Sequence, residues 1–225
     1  MALTVGADTA GSVDRRRRVC ADLSLPFERM TAGRQVHGAK VMVVDGERIG
    51  AGRDGAHPPI GDTDGLVTDQ PGVPLLALSA DCCLITVFDA TRPAIGVAHA
   101  GWRGTAAGIA GALVRTIVNK YDARPETLVA ALGPAAGVCC YTVKDDVPAA
   151  FDANGHDPST MIERRGGLTY LNLAEANRHQ LVSAGLRSDR IDVAGVCTIC
   201  SDDYFSYRRL GPKTGQFALV AAVRR

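Results

Sequence analysis

Aromatic residues make up only 5% of the 225 residues, with a single tryptophan, and histidine occurs five times. So few imidazoles, none in a His-x-His pair, exclude a chemistry built on several histidine-bound metal ions. Charge of one sign is also lacking: the formal net charge is +1. No global basic field points to a nucleic-acid partner. The one dense basic run, Arg15-Arg16-Arg17-Arg18, reads as a solvated helix face. Gly, Pro or charge interrupts every apolar run well before the roughly 20 residues needed to cross a bilayer, so no membrane span is expected. The N-terminus has no apolar signal core and the cysteines number seven, an odd set. Both features favour a reducing, cytoplasmic setting. Internal repeats, a P-loop and a G-x-G-x-x-G turn are absent as well.

What is present is 46% hydrophobic residues with no low-complexity linker, enough for one core. A single domain over residues 1–225 is expected. Short β-rich runs at 75–78, 84–88, 94–98, 128–132, 191–196 and 217–223 alternate irregularly with helical patterns. The fold class is therefore α+β, a single domain of mixed β-sheets flanked by helices. The spacing of Ile109, Leu113 and Ile117 predicts a helix over 105–120 capped by Thr105. A second helix is predicted over 173–184, after Asn172 and before Gly185. Residues 46–65, rich in Gly, Asp and Pro, read as a loop.

Three segments carry donor side chains beside small or turn-forming residues: Gln35-Val36-His37-Gly38, Ala80-Asp81-Cys82-Cys83 and His99-Ala100-Gly101-Trp102-Arg103-Gly104. Two imidazoles and a thiolate suit zinc with one position left open for water or substrate. Cys82 falls in the turn between two predicted strands, and His99 ends the next. Their wide sequence spacing is unlike the i, i+4 pair of a helical zinc site, and singly each also reads as a hydrogen-bonded structural histidine or a small buried cysteine, so local chemistry alone does not establish the site. Arg103, next to a predicted helix start, is placed to bind an anion or to pair with a surface carboxylate.

The blocks QVHG, DGLVTDQPGVPLLALSADC, HAGWRGTAAG, LGPAAGVCCYTV and CTICSDDYFSYRRLGPKTG occur in this order. Together, from Val5 onward, they resemble the multicopper polyphenol oxidase or laccase-like family, also called peptidoglycan editing factors. The resemblance implies the laccase-like purine nucleoside phosphorylase fold, which is related to that of cysteine hydrolases. It implies a zinc-dependent purine nucleoside phosphorylase acting on adenosine, inosine, guanosine or methylthioadenosine, with adenosine deaminase activity as a second reaction. Zn is then held by His37, Cys82 and His99, Cys82 and His99 are also catalytic, and Arg103 is both catalytic and substrate-binding through phosphate. The partners are a purine nucleoside and phosphate. The oxidase name itself conflicts with the histidine count.

Competing readings are a peptidoglycan-precursor editing amidohydrolase, a metal-free Cys82/His99 hydrolase, and a zinc-stabilised binding module closed by Cys83. Asp81 either orients a ligand imidazole or caps a turn. Gln35 either contacts substrate or hydrogen-bonds the backbone. The Tyr204–Arg209 segment either walls a pocket or sends Phe205 into the core, and Cys139-Cys140-Tyr141 is expected at a pocket edge. Cys197-Thr198-Ile199-Cys200 resembles half a zinc ribbon, but no second C-x-x-C completes four thiolates, so it is expected to be reduced and metal-free. His57, His156 and His179 are expected to face solvent. Relative to the family, the segment before Val5-Gly6-Ala7-Asp8 is expected to be short, Cys83-Leu84 replaces Leu-Pro, and Gln216 replaces an Arg.

Overall fold

The alternation of apolar side chains between positions 83 and 100 lets one hairpin serve two cores at once. In the computed structural model, which describes residues 9–224, this hairpin lies at the centre of the molecule. The Val5–Asp8 block lies outside the described residues. In chain order the elements are α1 (Thr9–Asp22), β1 (Thr31–Ala32), β2 (Val41–Val43), β3 (Gly65–Thr68), β4 (Leu75–Ser79), β5 (Cys83–Asp89), β6 (Ala94–Ala100), α2 (Trp102–Ala106), α3 (Ile109–Tyr121), β7 (Val129–Leu132), β8 (Thr142–Val143), α4 (Asp146–Ala153), β9 (Ile162–Arg165), β10 (Leu168–Leu171), α5 (Leu173–Ser183), β11 (Ile191–Val193), α6 (Tyr207–Leu210) and β12 (Phe217–Ala221).

A six-stranded sheet runs β11-β7-β5-β6-β3-β2, a three-stranded sheet β1-β4-β12, and a small meander β8-β10-β9. The fold is α+β, with mixed sheets flanked by helices, as the strand and helix pattern predicted. β5 and β6 pair antiparallel from Cys83↔Ala100 to Asp89↔Ala94. Because side chains alternate across a strand, Cys83, Ile85, Val87, Ala94, Ala98 and Ala100 face the helices, where they pack with Ile109, Leu113 and Ile117 of α3. Leu84, Ile95 and Val97 face the other way, onto Leu75 and Ala77 of β4. Ile109, Leu113 and Ile117 are fully buried, and each such side chain contributes about 1.5–3 kcal/mol.

The predicted 105–120 helix is two helices. Gly108 sits at φ +84, a left-handed conformation that breaks the run between α2 and α3. Thr105 does not cap: it lies inside α2, where both its amide and its hydroxyl donate to Gly101 O, at 2.8 and 2.9 Å. The second prediction holds. α5 begins after Asn172, whose side chain accepts from the Glu175 amide, and is followed by Gly185 at φ +101. The arginine run is a helix face only in part. Arg16 is buried and donates to Gly52 O and Arg53 O, anchoring the 46–65 loop. No described helix is long and apolar enough to cross a membrane.

Candidate metal and active site

Asp64, immediately before β3, organises the site. Its carboxylate accepts the backbone amides of Val36, His37 and Gly38 at 3.1, 3.0 and 2.8 Å, and its Oδ1 lies 2.9 Å from His99 Nδ1. Three consecutive amides can converge only if the chain curls, and His37 adopts φ +62 to do so. The backbone of β6 is held to the same residue, His99 N donating to Asp64 O at 2.8 Å. Burial opposes the charge on Asp64, but the bonds from His99, Gly38 and Val36 outweigh it and hold the carboxyl below the usual range.

His37, Cys82 and His99 thereby come together from three separate segments, with all candidate ligand atoms within 4.8 Å of one another. The two imidazole rings stand edge to face, 4.8 Å between centroids. His37 is exposed, Cys82 half-buried and His99 buried, so the cluster opens to one side. Gly101 makes the approach possible: a Cβ there would meet His37 Cδ2 at 2.8 Å and Cys82 Sγ at 2.9 Å. Cys82 itself leaves β4 through a turn in which Ser79 Oγ donates to Cys82 O at 2.6 Å.

Burial disfavours the Cys82 thiolate, yet hydrogen bonds from His37 and His99 bring its pKa down to about 7. Burial likewise disfavours charge on His99, and the bonds to Asp64 and Cys82 push its pKa up to about 9. Between these values the metal-free site holds a thiolate beside an imidazolium. In chelator-treated protein, alkylation of Cys82, followed peptide by peptide in the mass spectrometer, is therefore expected to titrate near pH 7 rather than near the ordinary thiol value of 9.0. A midpoint above pH 8.5 would show that the imidazoles do not stabilise the thiolate.

Arg103 is exposed and lies over its neighbour Trp102, 4.2 Å from guanidinium carbon to ring centroid. Its guanidinium makes no hydrogen bond or ion pair among the described residues. The adjoining helix start offers less than expected, since the Thr105 amide is already spent on Gly101 O. Tyr141, beside Cys82, carries Arg208 over its ring at 4.8 Å. Burial first, with Cys82 and Asp81 adding, pushes its phenol up to about 12, so it remains a hydrogen-bond donor.

Asp81 does not reach an imidazole. It accepts Thr198 Oγ1 at 2.7 Å and the Arg208 amide, in the first turn of α6, at 2.6 Å. Its φ of +99 is a strained conformation that these long-range bonds hold in place. Gln35 pairs twice with the Leu78 backbone, through Nε2 to Leu78 O and from Leu78 N to Oε1, and so serves the backbone. Cys83 points into the helix-side core, its thiol pushed up to about 12 by burial, and does not join the cluster. Phe205 is exposed rather than core. The remaining histidines are only half-exposed: His57 pairs with Asp54, His179 with Glu175, and His156 packs on Phe151.

Two features escaped sequence reasoning. Asp64 opens the DGLVTDQPG block, but only its contacts with residues far along the chain reveal its role. The second is a partner for Cys197 and Cys200: the vicinal pair Cys139-Cys140 lies against them, and the four sulfurs fall within 4.8 Å of one another.

A family model described as multi-copper polyphenol oxidoreductase laccase matches residues 1–224. The chain belongs to this family. It is 39% identical over 219 residues to a protein of Geobacillus stearothermophilus named purine nucleoside phosphorylase YlmD, covering 96% of this chain and 80% of that one. It is 31% identical over 215 residues to adenosine deaminase RL5 of an unknown prokaryotic organism, covering 94% of this chain and 82% of that one. The crystal structure of YlmD from Geobacillus stearothermophilus superposes with a TM-score of 0.94 at 37% identity, covering all of this chain and 84% of the other. Relatives of this chain thus carry the names of enzymes acting on purine nucleosides.

Proposed function

We propose that this protein is a zinc-dependent purine nucleoside phosphorylase that also deaminates adenosine. The observation carrying this reading is the convergence of two imidazoles and a thiol, with one imidazole fixed through its Nδ1 by a buried carboxylate. A nitrogen and sulfur set of three is the donor chemistry of catalytic zinc, and Zn–N and Zn–S bonds of about 2.0–2.3 Å fit donors gathered this closely. The Asp64 partner matches the carboxylate that commonly orients a zinc-binding imidazole. The copper in the family's description fits less well, because among the described residues no third histidine approaches the cluster. The relatives' names supply the substrate class.

Held by His37, Cys82 and His99, zinc would supply a Lewis acid and lower the pKa of water. Arg103, whose guanidinium makes no hydrogen bond or ion pair among the described residues, binds phosphate with paired donors while stacked on Trp102. In phosphorolysis a phosphate oxygen forms the bond to ribose C1′ as the purine nitrogen leaves. In deamination water replaces the amino group at purine C6 and ammonia departs. Tyr141, near enough to Cys82 and Arg103 for their charges to act on its phenol, and Arg208, stacked over its ring, would offer a phenol donor and a cation to the nucleoside.

Product identification from adenosine with and without phosphate, on protein of measured metal content, tests the reading. Adenine and ribose 1-phosphate are expected only with phosphate, and inosine in either case. In Arg103→Ala, phosphorolysis is expected to fall at least roughly tenfold, about 1.4 kcal/mol of transition-state stabilisation. Zinc content should hold and deamination should suffer less. Equal losses in both reactions would remove phosphate from Arg103.

One observation favours a second reading, a metal-free cysteine hydrolase: the thiolate and imidazolium pair of Cys82 and His99. Activity that survives chelation and His37→Ala, yet disappears on Cys82 alkylation, would select it.

A further inference from the structure

Two loops cross beside the active site. The first, leaving β7, turns through Cys139 and Cys140, where the amides of Cys140 and Tyr141 both donate to Gly137 O. The second, leaving β11, carries Cys197 and Cys200, with Ser201 N donating to Cys197 O. An isolated bridge, Ala135↔Cys197, and the bond from Thr198 N to Ala135 O zip the loops together. The zip faces all four thiols towards one point: Cys140 Sγ lies 2.8 Å and Cys139 Sγ 3.3 Å from Cys200 Sγ, and all four sulfurs lie within 4.8 Å. All four are free thiols.

We propose that Cys139, Cys140, Cys197 and Cys200 form a second metal site, a closed tetrathiolate for a zinc-type divalent cation, separate from the His37, Cys82 and His99 cluster. A tetrahedron with Zn–S bonds of about 2.3 Å places its sulfurs roughly 3.8 Å apart, inside the range the cluster already spans. The surroundings are those of a bound thiolate rather than a packed thiol. The Gly137 amide donates to Cys197 Sγ at 3.2 Å. Although burial opposes it, the amides of Cys200 and Gly137 help bring Cys197 down to about 7. Cys139 and Cys200 are pushed up to about 11, Cys139 by burial and its bond to Cys200, Cys200 mainly by its bond to Cys140. Four sulfurs around one point cannot all ionise without a cation between them.

Four thiolates around a divalent ion leave two net negative charges, and cations flank both loops. Arg165 donates to Val138 O and Cys139 O at 2.7 and 2.9 Å, and Arg209 to Ser201 O at 2.6 Å. With no open corner for water, the site is structural. Its place gives it a task. Thr198, between two of the ligands, bonds Asp81 next to Cys82, and Tyr141 follows Cys140 directly. The ion would clamp the wall of the active site.

Metal analysis of protein purified under reducing conditions without chelator is expected to give about two zinc ions per chain. A Cys197→Ser, Cys200→Ser variant should lose one equivalent and His37→Ala the other. Cobalt(II) in the His37→Ala protein should show the strong sulfur-to-metal absorption of a tetrathiolate. Should the serine variant fail to fold, differential alkylation of the unaltered protein decides. Cys139 and Cys200 are exposed, so protection of all four thiols until chelator is added supports the site. Immediate alkylation, or a denatured mass short of the hydrogens lost to disulfides, overturns it. A single zinc that depends on His37 alone also overturns it, whereas a single zinc that depends on Cys197 and Cys200 keeps it and removes the zinc from the proposed phosphorylase.

Discussion

Cys82→Ala is expected to lower both phosphorolysis and deamination by about a thousandfold or more, about 4 kcal/mol of transition-state stabilisation. Cys82 sits between His37 and His99 and is the one sulfur donor in that cluster. Its loss would remove the ligand that the proposed mechanism uses in both reactions, whereas Arg103 is expected to matter more to phosphorolysis than to deamination. Steady-state kinetics on adenosine, with bound metal measured on the same sample, check it. The site metal should fall in parallel, because two imidazoles alone bind zinc far more weakly than two imidazoles and a thiolate. Activity within tenfold of the unaltered protein would rule out the cluster as the reaction centre.

Asp64→Ala should be the most destabilising single change near the site. The Asp64 side chain is fully buried and that of His99 nearly so. The substitution strands three backbone donors and an imidazolium in the interior at once, and removing one partner of a buried ion pair costs about 3–5 kcal/mol. Urea unfolding of metal-free protein at neutral pH measures it. The folded-state pKa of Asp64 is depressed, so its contribution is fully present above the ordinary carboxyl value, about 3.9, and is lost as the pH falls further through the depressed one. Asp64→Asn keeps the shape but cannot accept all four bonds. It should fold better than the alanine variant while binding the site metal about 10–100-fold more weakly. An Asp64→Ala protein within about 1 kcal/mol of the original would mean that the amide curl at His37 holds itself.

How much of this was legible beforehand divides along physical lines. The β5/β6 hairpin and α5 were readable because their signals are local: alternation in one, an Asn cap and a following Gly in the other. His37, Cys82, His99 and Arg103 stood out by residue type and by the order of the blocks around them. Asp64 did not, because a carboxylate in a polar stretch has no local mark of burial, and its partners lie 26 to 35 residues away. The cysteine cluster was missed for a related reason. A second C-x-x-C is not the only pattern that can complete four thiolates: a turn can aim a vicinal pair at one point as well as a knuckle can. The break between α2 and α3 was masked by the apolar periodicity of Ile109, Leu113 and Ile117, which outweighed one glycine in the pattern. The β8-β10-β9 meander stayed hidden because a strand such as Ile162–Arg165 is mostly exposed and polar.

The three-stranded sheet sets an order of events during synthesis. β4 leads directly to Asp81 and Cys82, and it is the middle strand: β1 covers one edge and β12 the other, with Phe217 opposite Ser79 and Ala221 opposite Leu75. Until β12 has been made, the strand leading to Cys82 has one bare row of amides and carbonyls, and its Leu75 and Leu76, both buried in the folded protein, lack their cover. The nascent protein therefore passes through a stage in which all three cluster residues have been made but the strand leading to Cys82 can still zip onto a neighbouring chain. Any condition that slows the docking of β12 prolongs that exposure.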